Sequence, residues 1–192
     1  MPPVVRHILT APAGPIAPGI GLFVAQLDDQ SRRLTLDTRG LTRSALEWQP
    51  APGMNTMGML LAHLAIVEVH WMQVGPLERA LPDVAEALGI GVDDDGMPQP
   101  PRGKPPAALR GKPLAFFDDL LARARAHTVR VAGGLTDADL DREVSRVRKT
   151  GQTRVFNLRW VFYHRLEHYA GHYGQILLLR HLHRATHAKP RR

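Results

Sequence analysis

Residues 157–182 read Asn157-Leu-Arg-Trp160-Val-Phe-Tyr163-His164-Arg-Leu-Glu167-His168-Tyr169-Ala-Gly171-His172-Tyr173-Gly174-Gln175-Ile176-Leu-Leu178-Leu179-Arg180-His-Leu182. Apolar and aromatic residues recur here every three to four positions without a proline, the pattern of a long helix with a broad buried stripe. His164, His168 and His172 stand four apart, so all three share one gently drifting face of that helix. The outer pair are about 12 Å apart along the axis, at 1.5 Å per residue. One straight helix therefore cannot wrap all three around a single ion, and any metal held by an adjacent pair needs a ligand from elsewhere.

Three further segments show helical spacing. The first runs from about Ile20 to Arg39 with Gly40 as its stop, and the second opens at Asn55 or Thr56, both good caps, and ends at Val74 before Gly75-Pro76. The third begins after Pro113 and carries Leu114, Phe117, Leu121, Ala124, Thr128 and Val131 on one stripe up to Gly133-Gly134. No stretch shows the period-2 alternation expected of strands. The pattern predicts an all-α fold: a four-helix bundle of helices about 30 Å long. Residues 89–113 hold five glycines and six prolines and are expected to form no regular structure. A linker of that length could return along the bundle and make helices two and three parallel, giving up-down-down-up topology. That reading is favoured over an up-down-up-down bundle with a loose excursion, since long loops inside compact domains are uncommon. Gly40-Leu41-Thr42 and Gly134-Leu135-Thr136 follow the first and third helices, each Thr placed to cap a short turn and each Leu to fasten it. The domain expected is 20–182, with an N-terminal extension 1–19 and a basic tail 183–192.

Composition removes several classes. There is no cysteine among 192 residues, so disulfides, thiolate metal sites and cysteine nucleophiles are excluded, and a metal must be held by His, Asp or Glu. The net charge is +7, but residues 180–192 carry five basic groups and no acid, which leaves +2 on the other 179 residues. The excess is a terminal tail, and nucleic-acid binding is not expected. The first 21 residues lack the apolar block of a signal peptide, and Met57–Val74 contains Gly58, His63, Glu68, His70 and Gln73, too polar for a membrane span. No membrane partner and a cytoplasmic location are expected.

His63 is the candidate third ligand. It stands among Leu60, Leu61, Leu64 and Val67, so its imidazole points into a core or interface, where both ring nitrogens need partners. A core histidine bonded to a carbonyl or tyrosine would meet that need, but a facing pair of histidines on another helix favours a metal. His70, on the same face, is a reserve ligand. His164-Arg-Leu-Glu167-His168 matches the H-x-x-E-H of inverted zinc peptidases, yet no acid follows Glu167 to supply their downstream ligand, and H-E-x-x-H is absent. No general base is assigned; Glu68 and Glu167 are the nearest acids in sequence, either supporting the ligands from behind or lying on the surface, with the surface favoured.

Leu60-Leu61-Ala62-His63-Leu64-Ala65-x-Val67-Glu68-x-x-Trp71, followed about a hundred residues later by His168-x-x-x-His172-x-Gly174-Gln175-Ile176 and Leu178-Leu179-Arg180, resembles the DinB/YfiT-like metalloenzymes over roughly residues 20–182. The resemblance implies an up-down-down-up bundle and a three-histidine site for a divalent metal, zinc or nickel foremost, with His63, His168 and His172 as ligands and His164 as none. It implies frequent homodimers, a small-molecule substrate, and in some relatives thiol-dependent transfer using a low-molecular-weight thiol as co-substrate. Metal-dependent hydrolysis and a non-catalytic stress or binding bundle are the alternatives. A dimer is also expected from helix four itself, where Gly171, Gly174, Trp160, Tyr163, Tyr169 and Tyr173 exceed what one inward stripe can use.

Overall fold

The computed structural model describes residues 8–147 and 150–187. The chain is mostly helical: α1 Pro18–Thr38, α2 Arg43–Glu47, α3 Met57–Val74, α4 Ala85–Leu88, α5 Leu114–Ala132 and α6 Leu158–His187, with an antiparallel hairpin of β1 Glu143–Val147 and β2 Thr153–Asn157 before α6.

The four long helices coincide with the segments read from periodicity, and their boundaries follow local chemistry. Pro18 opens α1, where its missing N–H costs nothing. Thr56 caps α3 by accepting from Met59 N at 3.1 Å. At the far end of α3 the chain turns at Gly75, where a Cβ would meet Val161 Cγ2 at 3.0 Å. The helix α3 is buried on nearly every side, from Met57, Met59 and Leu60 to Val69 and Met72, which is why its hydrophobic pattern has so little sidedness. It is long and apolar enough to cross a membrane by composition, but 78% of it is buried inside the molecule, as expected of a core helix.

Cross-helix contacts fix the directions. Phe23 stacks on Phe162 at the start of α1 and α6, and Asp37 bonds Tyr173 and Arg180 near their ends, so these two run parallel. His63 meets His168 while Trp71 meets Trp160, so α3 is antiparallel to α6. Gly58 abuts Phe117 while Glu68 reaches Arg125 and Thr128, so α3 and α5 are parallel. Residues 89–113 make this possible by returning to the end of the molecule where α3 begins, where Gly53 N donates to Gly103 O at 3.1 Å. The expectation of no regular structure in this stretch is corrected by one 3-10 turn, Ala107–Leu109.

The all-α expectation needs a second correction. The hairpin pairs Glu143 with Asn157 through Val147 with Thr153, and turns at Gly151, whose φ is +80°. Only Val144 and Phe156, directly opposite each other, reach the core. One inward apolar residue per strand is too little alternation to stand out in a sequence. Helix α6 is also longer than expected: it runs past Leu182 to His187, so the first five residues of the expected tail are helical, and the rest of that tail lies outside the described residues. Both Gly-Leu-Thr turns form. Thr42 caps α2 at Ala45 N, and Thr136 makes a reciprocal capping box with Asp139 on the 3-10 turn Asp137–Asp141.

Candidate metal centre

His63 leaves the flank of α3 that faces α6, and its Nε2 lies 3.1 Å from His168 Nε2, which in turn lies 3.1 Å from His172 Nε2. One nitrogen from each of the three rings falls within 4.8 Å of the other two. Tetrahedral ligands at 2.1 Å from an ion would be about 3.4 Å apart, so the cluster is within a few tenths of an ångström of that geometry along two of its edges.

The outer nitrogens show which way the lone pairs point. His63 Nδ1 donates to Asp95 Oδ2 at 2.7 Å, and His172 Nδ1 donates to Gln175 Oε1 at 2.8 Å. A neutral imidazole with its proton on Nδ1 presents a bare lone pair at Nε2. Two lone pairs are thereby aimed at His168 Nε2, and a single proton there could serve them only by being shared. A cation at the centre of the three satisfies all of them at once, so the residues present fit a divalent ion. The charge states agree. Burial, with His172 and His63 adding to it, holds His168 down to about 3, and burial lowers His172 in spite of the Gln175 bond. Both imidazoles are thus neutral at physiological pH, the form metals bind.

Asp95 is only 2% exposed and comes from the proline- and glycine-rich crossover. Sequence reasoning missed it, because Asp93, Asp94 and Asp95 form a run in a segment without periodicity and nothing local distinguishes the third. Gln175 belongs to the Gly-Gln-Ile motif and lies three residues after His172, the spacing that places it on the same face.

His164 lies apart from the three. Its ring stacks on Trp160 with centroids 4.5 Å apart and meets the edge of Trp71, while Nδ1 is 3.4 Å from a carboxylate oxygen of Glu167. His70 packs on Trp71 outside the cluster. Glu167 is exposed, as expected, but Glu68 is not: at 3% exposure it accepts from Arg125, from Thr128 at 2.8 Å and from Arg165 at 3.1 Å. The expectation of a surface Glu68 fails because two guanidiniums on other helices follow it inward. Burial alone would raise its carboxyl, but Arg125 and Arg165 hold it below the usual carboxylate range.

The order and spacing of these residues have a counterpart among known proteins. A family model described as mycothiol S-transferase matches residues 22–185. The chain belongs to the mycothiol S-transferase family. That family stands within the DinB/YfiT-like group, in agreement with the resemblance drawn from the sequence. No curated protein matches the chain. Both halves of the cluster, His63 on α3 and the His168–His172 pair on α6, fall inside the mycothiol S-transferase match, as do Asp95 and Gln175.

Proposed function

We propose that this protein is a metal-dependent thiol S-transferase in which His63, His168 and His172 hold a divalent ion, zinc or nickel foremost. The observation that carries the reading is the inward lone pairs of His63 and His172, fixed by Asp95 and Gln175, meeting a neutral His168. His63, His168 and His172 would hold such an ion, and the chemistry it would supply is the lowering of a thiol's pKa, so that the thiolate would form at neutral pH. Family membership supports a low-molecular-weight thiol of the mycothiol kind as the co-substrate.

The chain's own contribution is orientation and shielding. Asp95 keeps the His63 proton on Nδ1 and stops the ring from rotating, and Gln175 does the same for His172 from within one helix turn. Leu64 and Tyr169, both buried beside the cluster, exclude water from its inner side. His164, with its Nδ1 facing Glu167, stands one turn before His168 with ring centroids 5.9 Å apart, close to the cluster but outside it. The protein acts in this reading on a small-molecule electrophile, as a homodimer, without a membrane or nucleic-acid partner.

Metal analysis of untagged protein tests the assignment. Wild type is expected to bind one equivalent of divalent ion, His168→Ala and His172→Ala to bind none, and His164→Ala to retain most of it. A site emptied by His164→Ala and kept by His172→Ala would move the ligand pair one turn toward the start of α6. Turnover of a low-molecular-weight thiol with an electrophilic acceptor, lost on metal removal, checks the chemistry, and hydrolysis of the acceptor without thiol would favour a hydrolase.

A further inference from the structure

The flank of α5 that carries Arg123, His127 and Arg130 borders a second cavity, of about 830 Å³, whose other side is formed by α4 and the segment after α3. It shares no residue with the histidine cluster. Its wall carries Arg79, Arg123, Arg130 and His127, against a single carboxylate, Glu86. Glu86 is taken up by Arg79, with which it forms an ion pair, and Arg123 lies 3.0 Å from Asp119 on its own helix. Arg130 has no acidic partner among the described residues.

The bond that Arg130 does make is informative. Its guanidinium approaches His127 Nδ1 at 2.7 Å. A guanidinium can only donate, so Nδ1 must accept, and the proton of this neutral imidazole sits on Nε2. Burial, then Arg130 and Arg79, lower the His127 pKa, which agrees with the neutral form. His127 is 4% exposed, and its Nε2 donor has no partner among the described residues. A buried donor without an acceptor costs about 1–3 kcal/mol. The wall of this cavity therefore sets three guanidiniums against one carboxylate, and Arg130 is left without an acid among the described residues.

We infer that this cavity is a binding site for an oxyanion-bearing small molecule, separate from the thiol-transfer centre, with Arg123 and Arg130 as its principal ligands. A phosphate or carboxylate group brings negative charge and an excess of acceptor oxygens over donors, so it is the ligand class that balances the guanidiniums of the wall. Guanidiniums suit it because their forked donors match the spacing of oxyanion oxygens. The apolar remainder of the cavity, including Leu77 and Leu135, has room for the carbon skeleton that carries the anionic group.

Calorimetric titration of the metal-free full-length chain at constant ionic strength decides the matter, with inorganic phosphate in one arm and succinate in the other. One saturable site is expected in at least one arm, and the tighter arm identifies the group as phosphate or carboxylate. Arg130→Gln and Arg123→Gln are each expected to weaken it by about tenfold, whereas His63→Ala and Arg32→Gln leave it unchanged. Circular dichroism of each variant verifies that the helices are intact. Absence of saturable binding in both arms at millimolar anion, or undiminished binding in the Arg123→Gln/Arg130→Gln double variant, overturns the assignment. Loss of binding in His63→Ala alone would overturn it too, by placing the anion at the histidine cluster.

Discussion

A carboxylate on the outer nitrogen of a histidine fixes the tautomer and holds the ring, and Asp95 does both for His63 from a segment without regular structure. Replacement of such outer partners costs 10–100-fold in metal affinity. Asp95→Ala is accordingly expected to weaken metal binding by about that factor while leaving the melting temperature of metal-free protein within a few degrees; a competition titration against a chromophoric chelator measures it, and an unchanged affinity would remove Asp95 from the site. His168 leads to a pH prediction. Its folded pKa of about 3 is below the value near 6.5 of an unfolded histidine, so the unfolded chain binds more protons between those limits. Its burial is therefore tolerated above about pH 6.5 and becomes destabilising as pH falls toward 3. In urea melts of metal-free protein, the stability of wild type relative to His168→Gln should decline through that window; a difference that does not vary with pH would show that His168 is not buried neutral.

At the scale of elements, the helices are held in register by one ionic knot. Glu68 of α3 takes hydrogen bonds from Arg125 and Thr128 of α5 and from Arg165 of α6, while Arg125 also bonds Asp28 and Ser31 of α1. Arg165 is fully buried, and burial pushes its guanidinium down to about 10 even beside Glu68. Removing one partner of such a pair leaves a buried charge uncompensated, at a cost of about 3–5 kcal/mol. Glu68→Ala is expected to lose that much in chemical denaturation and Glu68→Gln clearly less, because the amide oxygen still accepts; a loss below about 1 kcal/mol for the alanine variant would mean that water already reaches the knot. The knot lies about one to two turns from His63 and His168 along their helices, so it sets the sliding register on which the 3.1 Å contacts of the cluster depend.

For the molecule as a whole, the outer face of α6 is a surface left without a partner among the described residues. Gly171 and Gly174 have open space where a Cβ would stand, so packing among the described residues does not account for either. Tyr163, Leu178 and Leu182 are exposed along the same helix. Two glycines inside a helix cost about 1 kcal/mol each relative to alanine, and close approach of a second copy would offset that. Sedimentation at micromolar concentration is expected to give twice the chain mass, and Gly174→Arg to give the single mass with the melting of the monomer unaltered; a single mass for wild type would refute the dimer. The sequence alone determined the four long helices, because periodicity, caps and glycine stops act within a few residues of one another. It also placed His63 on an inward face and His164, His168 and His172 on one shared face, since spacing on a helix fixes the face a side chain takes, while the choice of the later pair came from the family resemblance. The tertiary structure alone decided which partner each group would meet. Asp95 reaches His63 across thirty-two positions of chain, Glu68 is drawn inward by arginines fifty-seven and ninety-seven positions away, and the hairpin exists because Val144 and Phe156 find each other and the core. Long-range pairing of polar groups leaves no periodic trace, because it depends on where two helices happen to face each other, and that is settled only when the core between them has packed.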